Sequence, residues 1–428
     1  MDSDAEKYSD GGNSPFEDVR RQFGNIFESI GGKFNFMPML VGSKAAQEEG
    51  TDVNEDEAQK FIERIRAFNM KPREVRDYLD KFVIKQYEAK KVLAVAICDH
   101  FNHVKLSLNN KDVQNDEYSK QNVLLLGPTG VGKTYLIKNI AKLIGVPFVK
   151  VDATKFSETG YVGSDVDDMI RDLVKSADGN AEMAQYGIVF IDEIDKIATN
   201  VGLEGRDISG RGVQINLLKL MEDSDVNLFG QTDVMAQIKA AISIGSDRDK
   251  PTKINTKHIL FIVSGAFDKL ADIIKARVGV RSIGFAPGSS QKADDSYEFL
   301  QQVSTADFIK FGFEPEFIGR LPVRVACEQL NANDLRDILT SSEGSILRQY
   351  VNDFAGYGIA LSVSSGAVEK IAELASEEKT GARGLLTVLE RLFRDFKFEL
   401  PSANVSKLDV TEECVDDPKS ELDKILAR

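Results

Sequence analysis

The chain has 428 residues, 42% of them hydrophobic, and a formal net charge of −14, which suits two or three packed domains rather than one. The acidic balance argues against a general nucleic-acid-binding surface, and no apolar stretch approaches the ~18 residues of a membrane helix. The three cysteines, Cys98, Cys327 and Cys414, are far apart and form no CxxC pair; neither a zinc module nor a disulfide framework is expected, and a reducing cytoplasm fits.

Residues 1–14 are polar, and the acidic start Met1-Asp2-Ser3-Asp4 has no signal-peptide core; this stretch is expected to be disordered. Phe16, Val19, Phe23, Ile26, Phe27 and Ile30 then fall on one helical face, and Gly31-Gly32 stops the pattern. Such a helix either packs on its own chain or a sister subunit, or docks substrates. Residues 41–57 read as an acidic linker, followed by a helix over roughly 55–69 that ends before Pro72. From Val83 onward, apolar runs at 123–126, 146–151, 188–191, 259–263 and 323–326 alternate with helical stretches. That alternation predicts an α/β fold with a parallel sheet covered on both faces. From about Asn331 the rhythm stops, and helices are predicted over 344–354, 366–378 and 384–399. The expected division is an N-terminal extension (1–70), an α/β domain (71–325) and a smaller, mostly helical C-terminal domain (326–428).

The segment Gly127-Pro128-Thr129-Gly130-Val131-Gly132-Lys133-Thr134, followed by Tyr135, reads G-x-x-x-x-G-K-T between an apolar strand and a helical stripe. Its glycines let backbone N–H groups curl around phosphate oxygens, at a helix start that favours anions. Lys133 then reaches the terminal phosphates and the Thr134 hydroxyl suits Mg²⁺. In Gly187–Asp195, Asp192 and Glu193 follow a buried strand at the end where such sheets bind ligands. Asp192 is placed to orient the metal through water, and Glu193 to polarise an attacking water. By itself this would be an acidic turn; the phosphate loop upstream shifts the balance. Arg320 lies in Glu316-Phe317-Ile318-Gly319-Arg320-Leu321-Pro322, and Arg383 in Thr380-Gly381-Ala382-Arg383-Gly384-Leu385. Either is a surface ion-pair residue or a cation for the departing phosphoryl group. His100 and His103 have metal-like spacing near Cys98, but they lie in an apolar helical run, which favours a packing role.

The motifs GPTGVGKT, GYVG, VFIDEIDKI, RDISGRGVQ, EFIGRLP and TGARGL resemble, as a set, those of the ClpX family of AAA+ protein unfoldases. The resemblance runs from about Lys71 to Pro401. It implies a P-loop NTPase large domain with a small helical domain, assembled as a homohexamer. It also implies that the ring hydrolyses ATP with Mg²⁺ between subunits and threads protein substrates toward a ClpP-type peptidase, with no nucleic-acid or membrane partner. By the same resemblance Lys133 and Thr134 are the phosphate and Mg²⁺ ligands, and Asp192 and Glu193 the metal-orienting and base carboxylates. Arg320 is the finger acting on a neighbour's ATP, and Arg383 is the sensor arginine acting within the chain. Val83 and Ile84 match the adenine-side segment, with Lys85 where the family has glycine and Phe82 where it has tyrosine. Ser264 sits near the sensor-1 position. Tyr161 and Val162 match a substrate-gripping pore loop, and 199–211, with Arg206, a second one. Ile283-Gly284-Phe285 matches a peptidase-docking loop and separates the chain from the HslU-like branch.

Two family modules have no counterpart. Residues 1–70 contain no cysteine for a zinc-binding domain, and 222–257 replaces a basic pore-entry loop. The alternative functions are a stand-alone ATP-dependent remodelling chaperone and an HslU-like unfoldase.

Overall fold

The computed structural model describes residues 48–110, 118–156, 165–199, 208–228, 252–280, 296–340 and 343–427. The chain divides into two units, 1–53 and 54–428. Of the first, only the opening of helix α1 (Glu48–Arg66) is described. The amphipathic helix expected at 16–30 lies outside the described residues.

Helix α1 begins inside the stretch read as a linker. Residues 48–57 are rich in acids and lack an apolar stripe, so the pattern hid the helix. Acidic side chains nonetheless suit a helix's first turns, where they face the positive end of its dipole. Farther along, Phe61, Ile65 and, just past the helix end, Phe68 are buried, so this region is part of the core of the second unit rather than an extension. Helices α2 (Pro72–Asp80) and α3 (Tyr87–Asn109) follow.

The central sheet is parallel, in the order β2-β3-β6-β1-β7. Its strands are β1 (Val123–Leu126), β2 (Phe148–Asp152), β3 (Ile188–Asp192), β6 (Leu260–Gly265) and β7 (Val323–Ala326). All five were legible as largely apolar runs; the inner strands β1, β3 and β6 are almost continuously hydrophobic because they are covered on both faces. Two-residue alternation divides the sheet into two faces. Val123, Leu125, Phe190 and Ile262 pack toward α3 and α4 (Lys133–Ile144). Leu124, Leu126, Ile191 and Val263 pack toward α5 (Asp168–Ser176), α7 (Ile208–Met221) and α8 (Asp268–Val280). The short helix α6 (Ala181–Ala184) precedes β3. A small antiparallel pair, β4 (Asp225–Asn227) with β5 (Lys253–Asn255), lies between α7 and β6.

Short helices α9 (Ser296–Leu300), α10 (Thr305–Phe311) and α11 (Pro315–Gly319) lead into β7. The C-terminal part contains α12 (Ala332–Thr340), α13 (Ile346–Ala355), α14 (Ser365–Glu377), α15 (Ala382–Glu399), α16 (Glu412–Asp416) and α17 (Pro418–Leu426). It also holds a parallel pair that sequence periodicity did not reveal, β8 (Ala360–Val363) with β9 (Lys407–Val410). Four residues are too few for alternation to stand out.

Candidate active site

The phosphate loop leaves the C-terminal end of β1 and enters α4 at Lys133. Gly130 takes φ +76°, and a Cβ there would lie 2.0 Å from the Thr380 carbonyl oxygen. Across that contact Gly381 has φ +60°, and its Cβ would meet the Gly130 carbonyl oxygen at 2.7 Å. The Ala382 amide donates to the same oxygen at 2.9 Å. Loop and C-terminal helix therefore touch backbone to backbone, which only glycine allows.

The Lys133 ammonium is buried and donates to the Gly127 and Pro128 carbonyls. Burial lowers its pKa. Asp192 ends β3 in the same cleft. Its carboxylate accepts from the Ser264 hydroxyl at 2.6 Å, the Lys150 ammonium at 2.9 Å and the Glu193 amide at 3.1 Å. Burial alone would raise this carboxyl, but the bonds from Ser264 and Lys150 outweigh it and hold the pKa below the usual carboxylate value. The Thr134 hydroxyl is 3.5 Å from Asp192 Oδ2. Glu193 is exposed and takes φ +56°, a left-handed conformation that disfavours any side chain by roughly 1 kcal/mol or more.

Lys133, Thr134, Asp192 and Arg383 line one cavity of about 240 Å³, together with Ile346 and Leu386. Thr129, Gly130, Gly132 and Tyr135 complete the loop side. Val83 is buried within reach of Gly132, 3.6 Å from where its Cβ would lie; Ile84 is half-buried beside it. The two residues after them, Lys85 and Gln86, both adopt left-handed backbone, φ +60° and +55°. Lys85 thus takes a glycine-like conformation despite its side chain. Its ammonium bonds the Gln329 carbonyl at 2.8 Å and Asp334 Oδ2 at 2.9 Å. The Gln86 side-chain amide brackets Glu328, donating to its carbonyl at 2.7 Å and accepting from its amide at 2.8 Å.

The oxygen donors fit a hard divalent cation such as Mg²⁺. Thr134 Oγ1 and Asp192 already share a positive group, because Lys150 Nζ lies 3.3 Å from the first and 2.9 Å from the second.

Arg320 is elsewhere. It follows α11 and precedes β7, whose Val323 pairs with Val123 at the start of β1. The phosphate loop leaves the other end of β1, so the sheet separates Arg320 from Lys133. The Arg320 guanidinium is half-exposed and pairs with Glu222 Oε1 at 2.6 Å. Its backbone carbonyl accepts from the buried Asn122 amide at 3.1 Å; that amide also reaches the Met221 carbonyl at 3.5 Å, and Asn122 Oδ1 accepts from the Phe261 amide at 3.3 Å. Nearby, Lys120 is buried, and its ammonium donates to the Thr256 carbonyl at 2.9 Å. Burial brings its pKa down to about 7. These residues edge a cleft of about 1010 Å³.

All three histidines gather behind this edge. His100 Nε2 contacts the His258 carbonyl oxygen at 3.0 Å, and the His103 ring stacks on Tyr118 with centroids 3.5 Å apart. His100 is fully buried within α3 and His103 is stacked on Tyr118, so both side chains take part in packing. Sequence reasoning missed Lys150, Lys120, Asn122 and Glu222; none belongs to a motif. Tyr161, Val162, Arg206, Ile283, Gly284 and Phe285 lie outside the described residues.

Residues 118–324 match the family model of an AAA domain (Cdc48 subfamily), and residues 330–409 that of the C-terminal, D2-small domain of ClpB protein. Over 350 residues the chain is 41% identical to the ATP-dependent Clp protease ATP-binding subunit ClpX of Borrelia duttonii (strain Ly), covering 80% of this chain and 78% of that one. It is 39% identical over 340 residues to the subunit of the same name from Porphyromonas gingivalis, covering 79% and 80%. The chain belongs to the ClpX family. Its fold is accordingly that of an AAA+ protein, with β1 through β6 in the first matched region and Arg383 in the second. The ClpX-family core is a nucleotide-binding one. No helix among the described residues is long and apolar enough to cross a membrane.

Proposed function

We propose that this chain is an ATP-dependent protein unfoldase that works in the cytoplasm as a homohexameric ring and feeds unfolded protein to a ClpP-type peptidase. It hydrolyses ATP and has no peptidase activity of its own. No nucleic-acid or membrane partner is part of this reading.

One observation carries the proposal. Lys133, Thr134, Asp192 and Arg383 meet in one cavity, while Arg320 stands at the opposite edge of the same sheet. A chain built this way supplies most of one hydrolytic site and a cation for another, which a ring of copies would join. Bound ATP supplies a transferable phosphoryl group, and Mg²⁺ offsets the charge that develops on it. Lys133 exchanges its loop carbonyls for phosphate oxygens. Thr134 and Asp192 hold the metal, the second through water. Glu193, exposed just past the end of β3, accepts a proton from the attacking water. Arg383 reads the phosphates from the C-terminal domain (326–428), and Val83 and Ile84 face the base from the large domain (71–325). Arg320 of one subunit reaches the next subunit's nucleotide. Tyr161 and Val162 grip the substrate in the pore, and Ile283, Gly284 and Phe285 dock the peptidase.

The decisive experiment is Glu193→Gln. Turnover should fall by about 10² or more while ATP binding persists; near-normal hydrolysis would remove the assigned base. Two further variants separate the later steps. Tyr161→Ala should keep ATP turnover but lose unfolding of a tagged folded substrate. Deleting 283–285 should leave unfolding intact and abolish degradation by the cognate peptidase.

A further inference from the structure

Lys150 interrupts an apolar strand, and nothing in the function above uses it. The pairing of β2 with β3 sets Lys150 beside Phe190 and Asp152 beside Asp192. With side chains alternating along each strand, Lys150 and Asp192 share a face. That is the face on which α4 packs, led by Lys133 and Thr134. The result is a triangle. Lys150 Nζ is 2.9 Å from Asp192 Oδ2 and 3.3 Å from Thr134 Oγ1, and those two oxygens are 3.5 Å apart. Ser264 holds the other carboxylate oxygen at 2.6 Å, so Asp192 is fixed while the lysine end of the triangle is free to move.

As a stabilising ion pair this contact is worth little, since the Lys150 side chain is 39% exposed. Its position is the informative part. The ammonium sits between the two oxygen donors assigned above to Mg²⁺. Two cations cannot share those oxygens at such distances without strong repulsion. Lysine has a long flexible stem, and β2 is an edge strand of the sheet, so the ammonium has solvent to swing into.

We propose that Lys150 is a tethered counter-cation of the nucleotide site: it attracts the phosphates when no divalent ion is present and competes with Mg²⁺ for Thr134 and Asp192. The proposal rests on reading the Lys133 cavity as the nucleotide site. It makes nucleotide binding less dependent on Mg²⁺, and the binding of free metal weaker, than in a site without the lysine.

The test uses the full chain and a fluorescent ADP, titrated in excess Mg²⁺ or excess EDTA. Lys150→Met should weaken binding in EDTA by about tenfold but not in Mg²⁺, so the metal dependence steepens by about that factor. Lys150→Arg keeps the charge and should stay within about twofold of the parent. With no nucleotide present, Mn²⁺ followed by electron paramagnetic resonance should bind the Met variant severalfold more tightly than the parent. Equal metal dependence in parent and Met variant, or equal Mn²⁺ affinity, overturns the proposal. Lys133→Ala is the control for the underlying reading. If that variant bound the fluorescent ADP as well as the parent, the nucleotide would lie elsewhere, and both conclusions would fall together.

Discussion

An arginine stands beyond each end of the strands of the central sheet, Arg383 from helix α15 and Arg320 from the turn before β7, and the two ends are finished differently. At the C-terminal edge of the strands, Arg383 lines a cavity with Lys133, Thr134 and Asp192, and Gly130 and Gly381 bring two backbones into contact. At the N-terminal edge, Arg320 is half-exposed, pairs with Glu222 and opens onto a broad cleft. Beneath it is a layer of buried polar groups: Asn122, Lys120, His100 and the partly buried His258. One edge is nearly a complete site. The other holds its arginine in an exposed ion pair, away from the Lys133 cavity. On the reading proposed above, Arg383 serves its own chain and Arg320 a neighbour, and the two stand at opposite ends of the strands.

The largest expected effect tests this contrast directly. Arg320→Ala should reduce ATP turnover about 10³-fold while leaving nucleotide binding to the chain unchanged; Arg383→Ala should weaken nucleotide binding itself. Equal loss of binding in both variants, measured with a fluorescent nucleotide, would erase the distinction between the edges. Mixing Arg320→Ala subunits with Glu193→Gln subunits should recover turnover, because some interfaces then pair an intact base with an intact finger.

Acid comes next, and it should act on the Arg320 edge first. Burial, with some repulsion from neighbouring cations, lowers His100 to about 3 and His258 to about 4, from 6.5. Both are neutral in the fold. Their contribution is complete above pH 6.5 and is lost as pH falls below 6.5 toward 4 and then 3, because the unfolded chain takes up the protons first. The loss should be on the order of a few kcal/mol, read by denaturant unfolding across that range. A flat stability from pH 7 to 5 would contradict it.

Asn122→Ala should be milder, costing about 2 kcal/mol, because it strands the buried Phe261 amide and removes donors from the Arg320 and Met221 carbonyls. It should also lower turnover while sparing nucleotide affinity; the reverse pattern would mean that Asn122 serves the phosphate loop instead. Glu222→Gln should change stability least, by about 0.5 kcal/mol or less, since both partners of its ion pair are well exposed. A larger loss in unfolding experiments would mean that the held arginine is part of the fold.

The C-terminal edge was largely legible in the sequence, because its chemistry is concentrated in contiguous stretches. Gly127 to Thr134 is one loop, and Asp192 and Glu193 end one apolar strand. The N-terminal edge was hardly legible, because it is assembled by register. Asn122, Glu222 and Arg320 are distant in the chain, and only the pairing of β1 with β7 and β6 brings them together. Lys150 was hidden for the same reason. A single lysine in a strand acquires its meaning from the residues two strands set opposite it. The conformation of Lys85 showed in the sequence only through the resemblance, which puts glycine at that position; side-chain bonds to Gln329 and Asp334 accompany the lysine's left-handed backbone. The acidic opening of α1 lacked an apolar stripe, and β8 and β9 were too short to show one.

Those bonds from Lys85 and Gln86 bear on how the molecule can turn. They fasten the segment beside the phosphate loop to residues 328–334, the very stretch that joins the sheet to the C-terminal helices. That stretch is therefore not a free string. A rotation of the helices either drags the Val83 wall with it or releases the contact between Lys85 and Asp334, a pair worth on the order of 1 kcal/mol. Such a joint has the form of a clutch: small displacements would pass through its four hydrogen bonds, and a larger rotation would have to part the Lys85–Asp334 pair.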